Sequence, residues 1–357
     1  MAEINILELF LRGIFAPPIL FFVFGIITVL VKADLEIPPT VSTAITVFLM
    51  ASIGLEGGAE AIEALKAYPE VIGAVLATAV SAILLAVIFA TWTGKILKHF
   101  VGFTTADAWA SAGHYAAVSS ATVFIGVTIA RYQAALVPVP SDVYAGWMPA
   151  MYPFMDTTAL VTAIILGRMA ITKEALGVRI DIKKILRITL LGAGIWALQA
   201  ALLIGILATA YSPVEMDMAM NFFDDLFRGI LCIFLIDMGM SAGRQLWAIR
   251  ELGKKIFKAI FIALMLPQLH GVLGILVVYL INYFIAPGAI GWADAFVFAT
   301  IAGGASFITA PAAMRSGLPE ANPSIYLPMS IALTFPFNIM IGMPIWQMLA
   351  MTLWGVV

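Results

Sequence analysis

Charge is scarce in this chain: only 11% of its 357 residues are Asp, Glu, Lys or Arg, where a soluble domain carries about 25%. That scarcity excludes an ordinary water-soluble protein. Charge of one sign is lacking too, since 19 basic against 21 acidic side chains give a net −2, without the excess that nucleic-acid binders use. Cysteine is almost absent. A single Cys232 excludes an intrachain disulfide framework and a cysteine-based zinc site. No G-x-x-x-x-G-K-[ST] loop occurs, so an ATP-driven pump is unsupported. What is abundant is apolar surface: 62% hydrophobic residues and a mean hydropathy of +1.05 mark a polytopic membrane protein.

A span needs roughly 20 mostly apolar residues. The pattern predicts ten spans, at about 14–31, 41–61, 71–93, 105–130, 143–167, 186–210, 226–247, 257–286, 291–316 and 324–354. Glu3 and Glu8 precede Arg12, an order unlike a cleavable leader, so the first span is expected to stay in the mature protein. With the N-terminus outside, the inner loops hold Lys32, Lys95, Lys98, Arg168, Lys173, Arg179, Lys183, Lys184, Arg187, Arg244, Arg250, Lys254, Lys255, Lys258 and Arg315. The outer side keeps only Arg12, Lys66, Arg131 and Arg228, so the bias is 15 to 4 and both termini are expected outside. The acidic runs Glu56-Glu60-Glu63-Glu70 and Glu215-Asp217-Asp224-Asp225 then fall on outer loops.

The halves echo each other. Gly54 to Gly58 resembles Gly239 to Gly243, and Ala106-Asp107-Ala108 resembles Ala293-Asp294-Ala295. Ala112 to Ser119 resembles Ala302 to Thr309 after a three-residue slip, and Pro153-Phe154-Met155 resembles Pro336-Phe337-Asn338. Five spans per half, an odd number, would place the halves in opposite orientation, the inverted-repeat plan of many secondary transporters. The expected architecture is therefore all-α and integral to the membrane: a first repeat over 1–167, a basic cytoplasmic linker over 168–187 and a second repeat over 188–357. The linker reads first as a topology determinant, with a docking surface for a regulator or anionic membrane lipid as the alternative.

Polar groups at membrane depth are costly and tend to mark pathways. The fourth span carries Ser111, Gly113, His114, Ser119, Ser120 and Thr122; the ninth carries Gly303, Gly304, Ser306 and Thr309. Glycine pairs are poor helix formers, about 1 kcal/mol each worse than alanine, so both spans are expected to break there. A broken helix aims N–H groups at an anion while hydroxyls and freed carbonyls suit a cation. The candidate anion-binding residues are Gly113, His114, Ser119, Ser120, Gly303, Gly304, Ser306 and Thr309. Asp156, with Thr157 and Thr158 beside it, and Asn338 at the end of its matched run, are the candidate ligands for a hard cation such as sodium. The competing reading is close helix packing by small residues and a buried hydrogen-bonded acid at Asp156. Asp107 and Asp294 open helices and read as caps; His270 reads as a packing residue. A channel is less favoured than alternating access. A remote alternative is an intramembrane protease using Ser306 and His270, or Asp156 and Asp237, though neither set lies in the expected sequence context. Neither a catalytic residue nor a cofactor is expected.

The runs Ile53-Gly-Leu-Glu-Gly-Gly58, Tyr152-Pro-Phe-Met-Asp-Thr-Thr-Ala-Leu-Val-Thr-Ala-Ile164, Leu226-Phe-Arg-Gly-Ile-Leu231, Met238-Gly-Met240 and Ala321-Asn-Pro-Ser-Ile-Tyr326 resemble the sodium-dependent bicarbonate transporter family of cyanobacteria and other bacteria. The resemblance covers all ten spans. It implies a sodium/bicarbonate symporter in the bacterial inner membrane, assembled as a homotrimer, whose substrate-carrying core moves against a gate domain in elevator fashion. Carried over, the family's Ala-Val-Ser lands on Ala117-Val118-Ser119 and its ninth-span break on Gly303 to Thr309. Two departures stand out. Phe307 occupies a position that is acidic in cyanobacterial members, leaving another small anion such as a monocarboxylate as the alternative substrate. The linker is also far shorter than theirs, which bears on whether a PII-like regulatory protein binds.

Overall fold

The computed structural model describes residues 15–67, 71–134, 146–174, 183, 187 and 190–356. Among the described residues the chain is all helix, with no strand. Its helices are α1 (Pro17–Leu30), α2 (Pro39–Ala67), α3 (Val71–Ile96), α4 (Thr105–Ala116), α5 (Ser120–Ala134), α6 (Tyr152–Glu174), α7 (Ala193–Tyr211), α8 (Pro213–Gln245), α9 (Ile256–Phe284), α10 (Trp292–Ala302), α11 (Thr309–Gly317) and α12 (Pro323–Leu353). Eight stretches are long and apolar enough to cross a membrane, one of them α4 and α5 taken together; α1 and α10 are shorter apolar helices. Local signals explain several starts. Thr104 accepts the Asp107 N–H at 3.1 Å to open α4, and Asn322 accepts the Ser324 N–H at 3.0 Å with Pro323 in the first turn of α12.

The starts of α1, α2, α3, α4, α9, α10 and α12 fall close to the hydropathy reading, whereas α6 begins at Tyr152 rather than near 143, α7 at Ala193 rather than near 186, and α8 at Pro213 rather than near 226. Consequently Glu215, Asp217, Asp224 and Asp225 lie on α8, and Glu56, Glu60 and Glu63 on α2, instead of on outer loops; Glu70 is outside the described residues. The reason is physical. Backbone hydrogen bonding continues a helix past the apolar layer, and Pro213 with Glu215 suits a helix start, whereas hydropathy registers only the apolar layer. Most of the basic linker is outside the described residues, and its first part, from Arg168 to Glu174, continues α6.

Packing separates two groups of helices. In the first, α1 lies along α8 and α2 along α7, with α2 and α7 also touching α8. Glycines make both close approaches. A Cβ added at Gly25 would fall 2.9 Å from the Gly239 Cα, and one at Gly58 would fall 3.1 Å from the Gly205 Cα, so the backbones themselves meet. In the second group α3, α4, α6, α9, α10 and α12 pack around a centre in which every residue of α4 and α10 is buried. α12 passes through two π-type stretches, Pro328–Thr334 and Asn338–Gly342, the first of which also touches α8.

Candidate functional site

Both expected helix breaks are present. α4 stops at Ala116, Ala117 is extended, and α5 starts at Ser120; α10 stops at Ala302 and α11 starts at Thr309. Each break ends in the same device. The Ser119 hydroxyl accepts from Thr122 Oγ1 at 2.9 Å and from the Thr122 N–H at 3.4 Å. In the second break Ser306 and Thr309 hydroxyls pair at 2.9 Å, and Ser306 Oγ accepts the Ala310 N–H at 3.3 Å. Ser119 thus caps α5, and Ser306, two residues ahead of Ile308 at the cap position of α11, bonds the first turn of that helix from further back, each with a threonine hydroxyl on it. The two pairs are separated by the same spacing as Asp107 and Asp294, so the three-residue slip inferred from the small-residue runs is unnecessary. In that register Phe307 stands where the first break has Ser120.

The breaks touch. The Ser306 N–H donates to the His114 carbonyl at 2.7 Å, and His114 Nδ1 lies 2.5 Å from the Ser306 carbonyl, which makes Nδ1 the protonated ring nitrogen. A Cβ at Gly304 would come within 2.9 Å of the Ser119 nitrogen, so glycine is what lets the second break pass the first. His114 is fully buried, its ring tilted against Tyr326, and its Nε2 has no hydrogen-bond partner among the described residues.

Asp156, fully buried on α6, joins the breaks: its Oδ1 accepts the Val118 N–H at 2.9 Å, and Thr309 Oγ1 donates to Oδ2 at 3.3 Å. Asn338 acts on the opposite side of the peptide dipole, donating from Nδ2 to the Gly303 carbonyl at 2.8 Å while accepting from Gln268 at 2.7 Å. Of the predicted anion residues, His114, Ser119, Gly303, Gly304, Ser306 and Thr309 collect at one crossing with Asp156 and Asn338; Gly113 and His114 lie in the last turn of α4 rather than in its break, and Gly113 faces Met314 and Ala163. Thr157 and Thr158 stand apart from the crossing. Successive helical residues point about 100° apart, and both line a largely apolar cavity of about 410 Å³ with Pro153, Leu198 and Gln199, where Asp156 does not appear.

Several contributors were missed. Tyr152 donates to the Val118 carbonyl at 3.4 Å, and Tyr115 pairs with Thr334 at 2.8 Å, Thr334 in turn donating to the Ala263 carbonyl at 2.7 Å. Tyr152 had a readable signal, sitting four residues before Asp156 and hence on the same helix face. Tyr115 and Gln268 had none, because their partners lie more than 60 residues away.

The remaining polar candidates are structural. The Asp107 carboxylate accepts from Thr104 at 2.6 Å and from the Asn322 N–H at 2.7 Å; Asp294 accepts the Gly291 N–H at 3.0 Å. His270 accepts from Trp92 Nε1 at 2.7 Å and stacks on Phe89 at 3.8 Å, which engages it in packing rather than as a base for Ser306.

Two polar helix breaks thus cross inside an apolar bundle and are tied together by one carboxylate. Among curated proteins none matches the chain. The family model described as the Na+-dependent bicarbonate transporter superfamily matches residues 17–351, nearly the whole length. This is a transporter family and not an enzyme family. The chain belongs to the Na+-dependent bicarbonate transporter superfamily.

Proposed function

We propose that the protein is a sodium-coupled symporter that takes up bicarbonate by alternating access, with both ions held where the two breaks cross. The observation that carries this reading is Asp156, a buried carboxylate bonded to the first break through Val118 and to the second through Thr309. An anion placed among the hydroxyls of Ser119, Ser120, Ser306 and Thr309, with Gly113, His114, Gly303 and Gly304 as the surrounding wall, meets no basic side chain within either break. Two charges of like sign at close range in a low dielectric repel strongly. A cation on Asp156 removes that repulsion, and the start of α5 and of α11 adds roughly half a positive charge each. Sodium and anion should then raise each other's affinity by the same factor. Asn338 contributes by fixing the Gly303 carbonyl. Thr157 and Thr158 join the cation site only if α6 turns.

The ordered sequence matches, the twin Ser–Thr caps and the reciprocal pairing of α1 with α8 and α2 with α7 support two inverted repeats of five spans. The first helix group acts as gate and the second as moving core. The 15-to-4 charge bias supports both termini outside the inner membrane. A homotrimer and a PII-like regulator rest on the resemblance.

Titrating bicarbonate in proteoliposomes with and without sodium tests the reading: affinity is expected to fall sharply without sodium, and equal affinity excludes the shared site. Phe307, which replaces a hydroxyl position of the other break by a ring, favours a small monocarboxylate as the second reading. Uptake of acetate or pyruvate without bicarbonate decides for it.

A further inference from the structure

The second break carries a side chain that takes no part in the hydrogen bonds of the crossing. Phe307 follows Ser306, whose hydroxyl belongs to the crossing, yet its ring packs outward onto Phe335 of α12, with centroids 5.1 Å apart at 63°. Phe335 packs edge-on to Phe22 of α1 at 5.0 Å and 86°. Phe22 and Phe335 are each 1% exposed and Phe307 9%. This aromatic chain runs from the crossing to the glycine-packed group, ending on the α1 face that meets Gly239. Its middle member lies between the two π-type stretches of α12, where the regular hydrogen-bond ladder is already interrupted. In the first break the equivalent position is Ser120, with nothing of comparable size.

We propose that Phe307, Phe335 and Phe22 form an apolar gate that separates the ion crossing from one side of the membrane, with Phe307 deciding which small hydrated solutes pass. The gate serves the site proposed above and rests on that reading. Its closure is a property of three rings in contact. Phe307 is the part that moves with the break, and Phe22 is the part that stays with α1. Removing any ring opens the same path; keeping all three keeps the break dry.

The test reads access without requiring transport. With Cys232 replaced by serine, a Ser306→Cys reporter is exposed to a membrane-impermeant thiol reagent from each side of sealed proteoliposomes. Phe307→Ala, Phe335→Leu and Phe22→Leu are each expected to speed labelling from the same single side, by about tenfold for Phe307→Ala, the size expected when aromatic contacts hold the closed population. Phe307→Tyr keeps the ring and is expected to keep the slow rate. Faster labelling in Phe307→Ala alone would reduce Phe307 to a lining residue of the site, and unchanged labelling in all three variants would overturn the gate. Gated labelling in a protein that carries no bicarbonate would retain the gate and dismiss the substrate reading.

Discussion

The glycine-packed helices and the crossing of the breaks solve opposite problems with opposite chemistry. Between α1 and α8, and between α2 and α7, no polar side chain is needed. Gly25 against Gly239 and Gly58 against Gly205 bring backbones into contact, and dispersion over that surface holds the pairs. At the crossing the helices are interrupted and every freed group needs a partner: Val118 finds Asp156 and Tyr152, Gly303 finds Asn338, and Ser306 finds His114. A dry contact tolerates no added atom but is indifferent to charge. A hydrogen-bonded contact tolerates small changes of shape but not the loss of a partner. The first kind suits a frame, the second a place where hydrogen-bond partners can be exchanged.

The contrast breaks most visibly at the glycines. Gly239→Leu drives a side chain into α1, where the nearest atoms are backbone and cannot yield. A loss of about 3 kcal/mol or more is expected, read as a collapsed thermal transition or no monodisperse protein. Gly229→Leu on the same helix has open space beside it and is expected to be neutral. Equal damage from both would show that α8 is sensitive to bulk in general and not to the approach of α1.

At the crossing, Asp156→Asn keeps the shape and removes the charge. Folded protein is expected, with sodium activation of transport weakened by at least about tenfold, or 1.4 kcal/mol. Sodium dependence matching the parent would make Asp156 a packing residue. Ser119→Ala and Ser306→Ala each remove a cap, expected to cost about 1 kcal/mol of stability apiece. The matching caps predict matching losses; a large loss from one variant alone would argue against equivalent breaks.

A smaller effect is expected where the two groups are tied by charge. Arg131 at the end of α5 pairs with Glu56 of α2 and lies 3.6 Å from Asp224 and 5.5 Å from the Phe227 ring, both on α8. Arg131→Gln should shift stability by about 1 kcal/mol, because the Arg131 and Glu56 side chains both keep some contact with solvent. A salt-sensitive change in transport rate with little change in unfolding would identify the tie as one that opens during the cycle.

The smallest is at the ion pair of Arg168 with Glu320. Burial raises the Glu320 carboxyl somewhat, but the Arg168 guanidinium, 2.7 Å away, more than offsets it and holds the group below the usual carboxylate range. A pKa lowered on folding means that the stability it contributes is present above the unfolded pKa and is lost as pH falls through the folded one. Stability should therefore dip in the acid range below the ordinary carboxylate pKa, and Glu320→Gln should flatten that dip. The effect is slight because Glu320 is 42% exposed. An identical acid profile in the variant would remove the pair from the account.

The membrane-spanning class, most of the helix starts and the presence of both helix breaks were legible in the sequence, because each follows from chemistry over a few consecutive residues. Twenty apolar residues must lie in a bilayer, and a stretch of small residues and hydroxyls holds a helix together poorly. The sequence by itself misplaced the starts of α6, α7 and α8 and put Gly113 and His114 in the first break instead of the last turn of α4, since hydropathy and residue type do not report where helical hydrogen bonding begins and ends. It also grouped Thr157 and Thr158 with Asp156, since adjacency in the chain is divergence around a helix. Only the tertiary structure decided that Ser306 meets His114, that Asn338 holds Gly303 through support from Gln268, and that Phe307 turns toward Phe335 and Phe22. These contacts join residues far apart in the chain. Which of many polar or aromatic partners meets across such a gap is settled by how the helices stack, and local sequence does not contain that geometry.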